Sequence, residues 1–288
     1  MTKRLPRFLT YTIAAVVPAF GLVIGLGAAA GASTAANPAS QAAAAKTAAV
    51  AAIEHLYVGQ HSANHRVSSD ASHGLKGLSQ VTSTNWSGYA DTGSSFSKVS
   101  SSWTEPSASC SSRAEQLAAF WVGIDGYSSD SVEQDGTLIE CYDRTAYQYT
   151  WWEMYPTNDI QVVGETLAAG DHITASVSRS GDSYTLAVTD STHTADSFST
   201  TQSCSDCANS SAEWIAEAPS GSTGVYPLAD FGTWSTSSAS VTEGSTAGTI
   251  SSFTDDEITM DTSSGATEAQ PSALNSSGNA FSVAWKTS

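Results

Sequence analysis

From Val81 onward, apolar and polar residues alternate with a period of two in short runs, cut by clusters of Gly, Ser, Asp and Asn. The runs fall at residues 86–90, 98–103, 120–125, 147–155, 172–178, 184–189 and 212–217, then at 225–231, 238–242, 257–262 and 281–286. Successive side chains of a strand point to opposite faces, so each run predicts a half-buried β-strand. Residues 172–178 and 184–189, joined by Arg179-Ser180-Gly181-Asp182, predict a hairpin. Helix-period runs are almost absent from this region, and no internal repeat is visible. Many short strands at this spacing predict an all-β fold, an antiparallel two-sheet β-sandwich of jelly-roll or concanavalin-like kind, in one domain at residues 81–288.

The first 80 residues have a different pattern. Lys3, Arg4 and Arg7 precede an apolar run at 8–32 that ends in Ala30-Gly31-Ala32, which reads as a cleaved secretory signal at 1–32 and predicts a secreted, extracellular protein. A membrane anchor is the competing reading, and Pro18, the glycines and the small-residue end argue against it. Residues 33–80 are Ala-rich at first, with a helix expected from Pro38, and then polar. This segment carries His55, His61, His65 and His73, and it is expected to be a pro-segment or a disordered spacer.

Charge divides at the same place. The chain has 11 Lys and Arg against 28 Asp and Glu, but residues 81–288 hold five bases and 26 acids, a net of −21. Such a surface repels nucleic acid and anionic membranes, so neither is expected as a partner. It suits low pH, where protonated carboxyls no longer repel one another. The four cysteines all lie in the acidic region of a chain expected to be exported, so two disulfides are expected, Cys110 with Cys141 and Cys204 with Cys207, although three pairings are possible. A redox role for the Cys204–Cys207 pair lacks a surrounding βαβ pattern. Only His172 and His193 occur in this region, neither at zinc-ligand spacing from a cysteine pair, so no metal and no cofactor is expected.

Residues 117–156 form the densest run of aromatic and carboxyl groups, with three of the eight tryptophans. Alternation puts Trp151, Glu153 and Tyr155 on one face, as a groove gripping an extended ligand would need. Ser-His-Asp chemistry lacks a suitable histidine and a nucleophile elbow. Cysteine chemistry lacks a free thiol, and Asp91-Thr92-Gly93 is a single copy of a turn that an aspartic peptidase needs twice. Carboxyl chemistry with an amide or a second carboxyl remains. In SAEWIAE at 211–217, Glu213, Ile215 and Glu217 share one face and Ala212, Trp214 and Ala216 the other. Apolar neighbours raise the pKa of Glu213 and fit it for proton transfer, although an edge strand with solvated acids gives the same pattern.

Six motifs in order, NWSGY at 85–89, FWVGIDG at 120–126, VEQDG at 132–136, YTWWEMYP at 149–156, SAEWIAE at 211–217 and LADFG at 228–232, resemble the glutamic peptidases, or eqolisins. The resemblance implies a β-sandwich and an acid-acting endopeptidase that uses a catalytic Glu and Gln and is often made as a precursor. It places the catalytic pair on Glu213 and Gln134, substrate-gripping positions on Trp86, Trp121, Trp151, Glu153 and Tyr155, and a supporting acid on Asp125. Alternation agrees in putting Trp121 and Asp125 on one face and in turning Glu133 away from Gln134. Tyr149 departs from the fungal pattern, which has Asp there. The expected partner is a polypeptide substrate and the expected state a monomer. Two rivals remain at this level: a sandwich glycoside hydrolase using Glu153 and Glu213, and a non-catalytic carbohydrate-binding module.

Overall fold

The computed structural model describes residues 78–288 and, ahead of them, only Ala43, Ala44 and Thr47. Those three are helical, with the Thr47 hydroxyl donating to the Ala43 carbonyl. The signal expected at 1–32, the remainder of the segment expected at 33–80 as far as residue 77, and its four histidines lie outside the described residues. Among the described residues no helix is long and apolar enough to cross a membrane.

The first strands in chain order are β1 (Leu78–Ser83), β2 (Trp86–Thr92), β3 (Phe96–Thr104), β4 (Gln116–Asp125), β5 (Val132–Tyr142) and β6 (Thr145–Tyr155). There follow β7 (Asn158–Gly164), β8 (His172–Ser180), β9 (Ser183–Asp190), β10 (Phe198–Ser203), β11 (Ser211–Glu217), β12 (Ser220–Gly221) and β13 (Gly224–Val225). The chain closes with β14 (Thr233–Glu243), β15 (Thr246–Gly248), β16 (Thr254–Asp261), β17 (Thr267–Pro271) and β18 (Phe281–Trp285). Pairing is antiparallel except where β1 runs parallel to β16.

Hydrogen bonding continues without a break through β10-β9-β8-β3-β14-β18-β17-β16-β2-β11-β4-β5-β6-β7. The ribbon folds over at β18 and β17, so that β4 and β5 lie against β8 and β5 also against β9. The expected sandwich is therefore present, with its two layers joined along one edge. A back layer holds β10, β9, β8, β3 and β14; a front layer holds β16, β2, β11, β4, β5, β6 and β7.

Between the layers sits the main core: Phe120, Val122, Ile124, Ile139 and Trp214 from the front, and Val99, Ile173, Val177, Leu186 and Trp234 from the back. Burying each such side chain stabilises the fold by about 1.5–3 kcal/mol. Phe120 stacks on Trp234 with centroids 5.4 Å apart. A second cluster covers the outer face of the front layer, with Trp86, Ala119, Trp121, Leu138, Tyr149, Trp151 and Ile215.

The hairpin forms as expected, β8 and β9 being joined by Gly181 and Asp182, with Gly181 at φ +62°. Both expected disulfides are present, Cys110 with Cys141 and Cys204 with Cys207. The run at 225–231 is a correction. Beyond Val225 it makes only a lone bridge from Leu228 to Leu117, because Pro227 has no N–H to give a ladder. Conversely, β5 escapes the period-two search because Val132 to Cys141 is buried throughout, both faces being covered.

Candidate active site

Five neighbouring strands of the front layer place one residue each in a single transverse row: Ala90 on β2, Glu213 on β11, Gly123 on β4, Gln134 on β5 and Glu153 on β6. Two residues along lies a second row, Gly88, Ile215, Trp121, Gly136 and Trp151, and then a third, Trp86, Glu217, Ala119, Leu138 and Tyr149. Side chains two apart share a face, so all three rows lie on the side of the second cluster. Neighbouring strands are about 4.8 Å apart, which sets the Glu213 and Gln134 backbones roughly 10 Å apart. Between them stands only Gly123. Its missing Cβ would sit 2.9 Å from the Trp121 ring and 3.3 Å from Gln134 Cβ, so the glycine keeps open the space between the Glu213 and Gln134 strands.

Gly136 has another task. A Cβ there would fall 2.0 Å from the Phe120 carbonyl oxygen, so the glycine lets β5 lie close on β4 and holds Gln134 in register. The Gln134 amide donates from Nε2 to Glu153 Oε2 at 2.7 Å, which fixes its orientation. Burial pushes Glu153 well above the usual carboxyl range, against a smaller lowering by that hydrogen bond.

Glu213 is fully buried, and neither of its oxygens has a hydrogen-bond partner. Desolvation drives its pKa well above the ordinary value; the neighbouring Ser211 hydroxyl acts the other way to a smaller degree, and the carboxyls of Asp125, Glu133 and Asp91 add to the rise. A carboxyl so placed holds its proton as long as it stays away from water.

The tryptophans of the outer face are pinned. Trp86 meets Trp121 edge to face, centroids 5.0 Å apart at 76°, and Trp121 Nε1 donates to Glu217 Oε2 at 2.8 Å. Trp151 lies beside Gly136 in the second row. Asp125 leaves the strand alternation at φ +69° and accepts from the backbone N–H groups of Asn209 and Ser210 at 2.7 and 2.8 Å, and from the Ser210 hydroxyl. Its carboxylate thus anchors the turn that leads into β11 and Glu213. Glu133 faces the other way, its Oε1 lying 2.8 Å from Cys207 Sγ. Tyr155 is half-buried and lines a cavity of about 580 Å³ with Ser131, Glu133, Met154 and Pro156, at the end of the rows. That cavity touches neither Gln134 nor Glu213.

Alternation alone yields neither Gly123, which has no side chain to alternate, nor the Glu217 contact with Trp121, which needs the register of β11 on β4. Among the described residues, two groups bring metal-ligating atoms together, Glu133 with Cys204 and Cys207, and Asp171 with Asp190 and His193. The first is closed to a metal because its cysteines are bonded to each other.

The sequence profile of the Peptidase A4 family matches residues 84–284. The chain belongs to that family. Aspergillopepsin-2 of Aspergillus niger is 28% identical over 185 residues, 56% of this chain and 65% of its own length. Scytalidopepsin B of Scytalidium lignicola is 36% identical over 138 residues, 46% of this chain and 51% of its own. The chain therefore spans less than two thirds of the length of either curated relative. A crystal structure of scytalido-glutamic peptidase with a transition state analog inhibitor shares the fold, with a TM-score of 0.60 at 24% identity over 70% of this chain and 98% of that one. The matched span includes all three rows. Tyr149, where the fungal pattern has Asp, donates its hydroxyl to Glu140 Oε2 at 3.1 Å and closes the third row.

Proposed function

We propose that this chain is a secreted, acid-acting glutamic endopeptidase in which Glu213 and Gln134 act together on a water and a scissile carbonyl held over Gly123. The carrying observation is the transverse row, which sets a carboxyl and an amide on either side of a glycine. As carboxylate, Glu213 takes a proton from the water as it attacks; as the acid so formed, it protonates the leaving amine. The Gln134 amide carries two N–H donors. One is oriented by Glu153, and the other meets the oxyanion, a contribution on the order of 3 kcal/mol. Trp86, Trp121, Trp151, Glu153 and Tyr155 form the wall along which a polypeptide lies, and Asp125 braces the turn behind Glu213.

The glycosidase rival fits the rows poorly. Three strand steps separate Glu153 from Glu213, about 14 Å between backbones, and Gln134 stands between them bonded to Glu153. A glycosidase pair needs its two carboxyls facing each other across the sugar, and here an amide bonded to one of them occupies that place.

In the full-length chain the catalytic row is closed to solvent, and desolvation keeps Glu213 in the protonated form that cannot activate water. That closure supports reading the chain as a precursor. Residues 1–32 act as the export signal, residues 33–80 as a pro-segment, and residues 81–288 as the peptidase domain, a monomer without stable membrane attachment. Opening the row to water lowers the Glu213 pKa and switches on the base. Purified precursor incubated with an unfolded protein at about pH 2–5 should acquire a new N-terminus near residue 80 and digest the protein. The Glu213→Gln precursor should do neither. An intact, inactive wild-type chain that binds glycans would support the carbohydrate-binding rival instead.

A further inference from the structure

We infer that Asp171, Asp190 and His193 form a binding site for a divalent cation that accepts imidazole nitrogen together with carboxylate oxygen, with zinc as the type. The site belongs to the back layer: Asp171 immediately precedes β8, Asp190 ends β9, and His193 opens the short 3-10 turn at Thr194–Asp196. The three residues are spread over 23 positions of sequence, and the hairpin closes them into one group.

Each residue contributes one donor atom, and the three atoms lie within 4.8 Å of one another. His193 Nδ1 stands 2.9 Å from Asp171 Oδ2 and 3.0 Å from Oδ1. This spacing is that of a hydrogen-bonded pair; two ligands of a tetrahedral zinc at about 2.1 Å stand roughly 3.4 Å apart, so a small outward shift of the half-exposed imidazole lets a cation take the place of the shared proton. Asp190 is held in place by the backbone N–H groups of Thr192 and His193, both donating to Oδ1 at 2.7 and 2.9 Å. Its second oxygen, Oδ2, is buried and has no hydrogen-bond partner.

Charge points the same way. Asp171 and Asp190 are buried, while the His193 side chain is 52% exposed and gives a cation a way in. Glu105 lies close enough to feel both aspartates, and Asp196 close enough to act on His193. Three carboxyls thus act on one imidazole, and a fourth acts on two of those three. Among the described residues the remaining ion pair is Arg113 with Asp143, far along the chain from this group. An ordinary His–Asp pair would satisfy Asp171 and leave Asp190 Oδ2 unexplained. A sequence search for Cys and His spacing overlooks such a site because two of its three ligands are aspartates.

The test titrates the full-length chain with zinc near pH 7, where imidazole is largely neutral, by calorimetry and by thermal melting. Wild type should bind one zinc more than either His193→Gln or Asp190→Asn, or bind that zinc at least about tenfold more tightly. Zinc should also raise the wild-type melting temperature and leave that of His193→Gln unmoved. Any zinc bound by His55, His61, His65 and His73 is common to all three proteins and cancels. His193 is half exposed, so its variant stays folded even if Asp190→Asn does not. Equal stoichiometry and equal melting shifts in wild type and His193→Gln would reduce the group to an ion pair. Calcium binding that survives His193→Gln would overturn the imidazole assignment.

Discussion

At the residue scale, the proposed chemistry depends on how one amide is held. Glu153 fixes the Gln134 side chain through a 2.7 Å hydrogen bond, and burial favours the neutral form of Glu153, which adds no second negative charge beside a developing oxyanion. Glu153→Gln keeps a carbonyl oxygen that can accept the same bond, whereas Glu153→Ala frees the amide to rotate. The expected outcome is a kcat within about threefold of wild type for Glu153→Gln and a loss of roughly 10²-fold for Glu153→Ala, the size of one misplaced oxyanion donor. Steady-state kinetics on a short peptide at acid pH measures both. Equal losses in the two variants would assign Glu153 a catalytic charge rather than a positioning role.

At the scale of elements, two glycines on neighbouring strands separate stability from activity. At Gly136 an added Cβ meets the Phe120 carbonyl at 2.0 Å, a backbone atom that cannot yield without parting β5 from β4. Gly136→Ala should therefore cost on the order of 3 kcal/mol, read as a drop of about 6–12 °C in melting temperature. At Gly123 the added Cβ meets a ring edge at 2.9 Å and fills the space between Glu213 and Gln134. Gly123→Ala should lose less stability than Gly136→Ala, because a ring edge yields more readily than a backbone carbonyl, and should lose most of its kcat. A reversal of this pattern would mean that the gap over Gly123 is not where the reaction occurs.

The same strands show what a sequence reveals and what it hides. Exposed or half-exposed strands such as β8 and β9 alternate, and their hairpin is readable down to its turn. The strand that carries Gln134 does not alternate, since Val132 to Cys141 is buried on both sides, and only the VEQDG motif marks it. Which residues share a face follows from a period of two; which residues face one another across strands depends on register, and register is set by packing that no single segment contains. Glu213 and Gln134 could therefore be named from their motifs, but their placement across Gly123 could not. Pro227 shows the opposite error, an apolar run whose missing N–H denies it a ladder.

At the scale of the molecule, buried carboxyls define the pH range in which the fold survives. Burial pushes Asp91 up to about 9, with Asp255 and Glu243 adding repulsion; it pushes Glu105 and Glu140 up to about 8 and Asp255 up to about 6. A raised carboxyl keeps its proton in the folded state after the unfolded chain has lost it near pH 4. Stability is then complete below about pH 4 and drains away as pH rises through about 6 to 9. The acidic surface adds self-repulsion over the same range. Melting temperature should be highest below about pH 4 and fall from there as pH rises toward about 9. Asp91→Asn, which keeps the shape and removes the charge, should match wild type near pH 4 and exceed it near pH 8. Parallel curves at both pH values would remove Asp91 from this account.

The central claim is that Glu213 and Gln134 act as one unit across the Gly123 gap, and a double-mutant cycle on kcat at about pH 4 tests it most directly. Groups that act together are not additive, because once one is lost the other has little left to stabilise. Glu213→Gln should abolish all but a trace of activity, Gln134→Ala should cost about 10²–10³-fold, and the double variant should be no slower than Glu213→Gln alone. Wild-type turnover in Glu213→Gln, or losses that simply multiply in the double variant, would contradict the dyad.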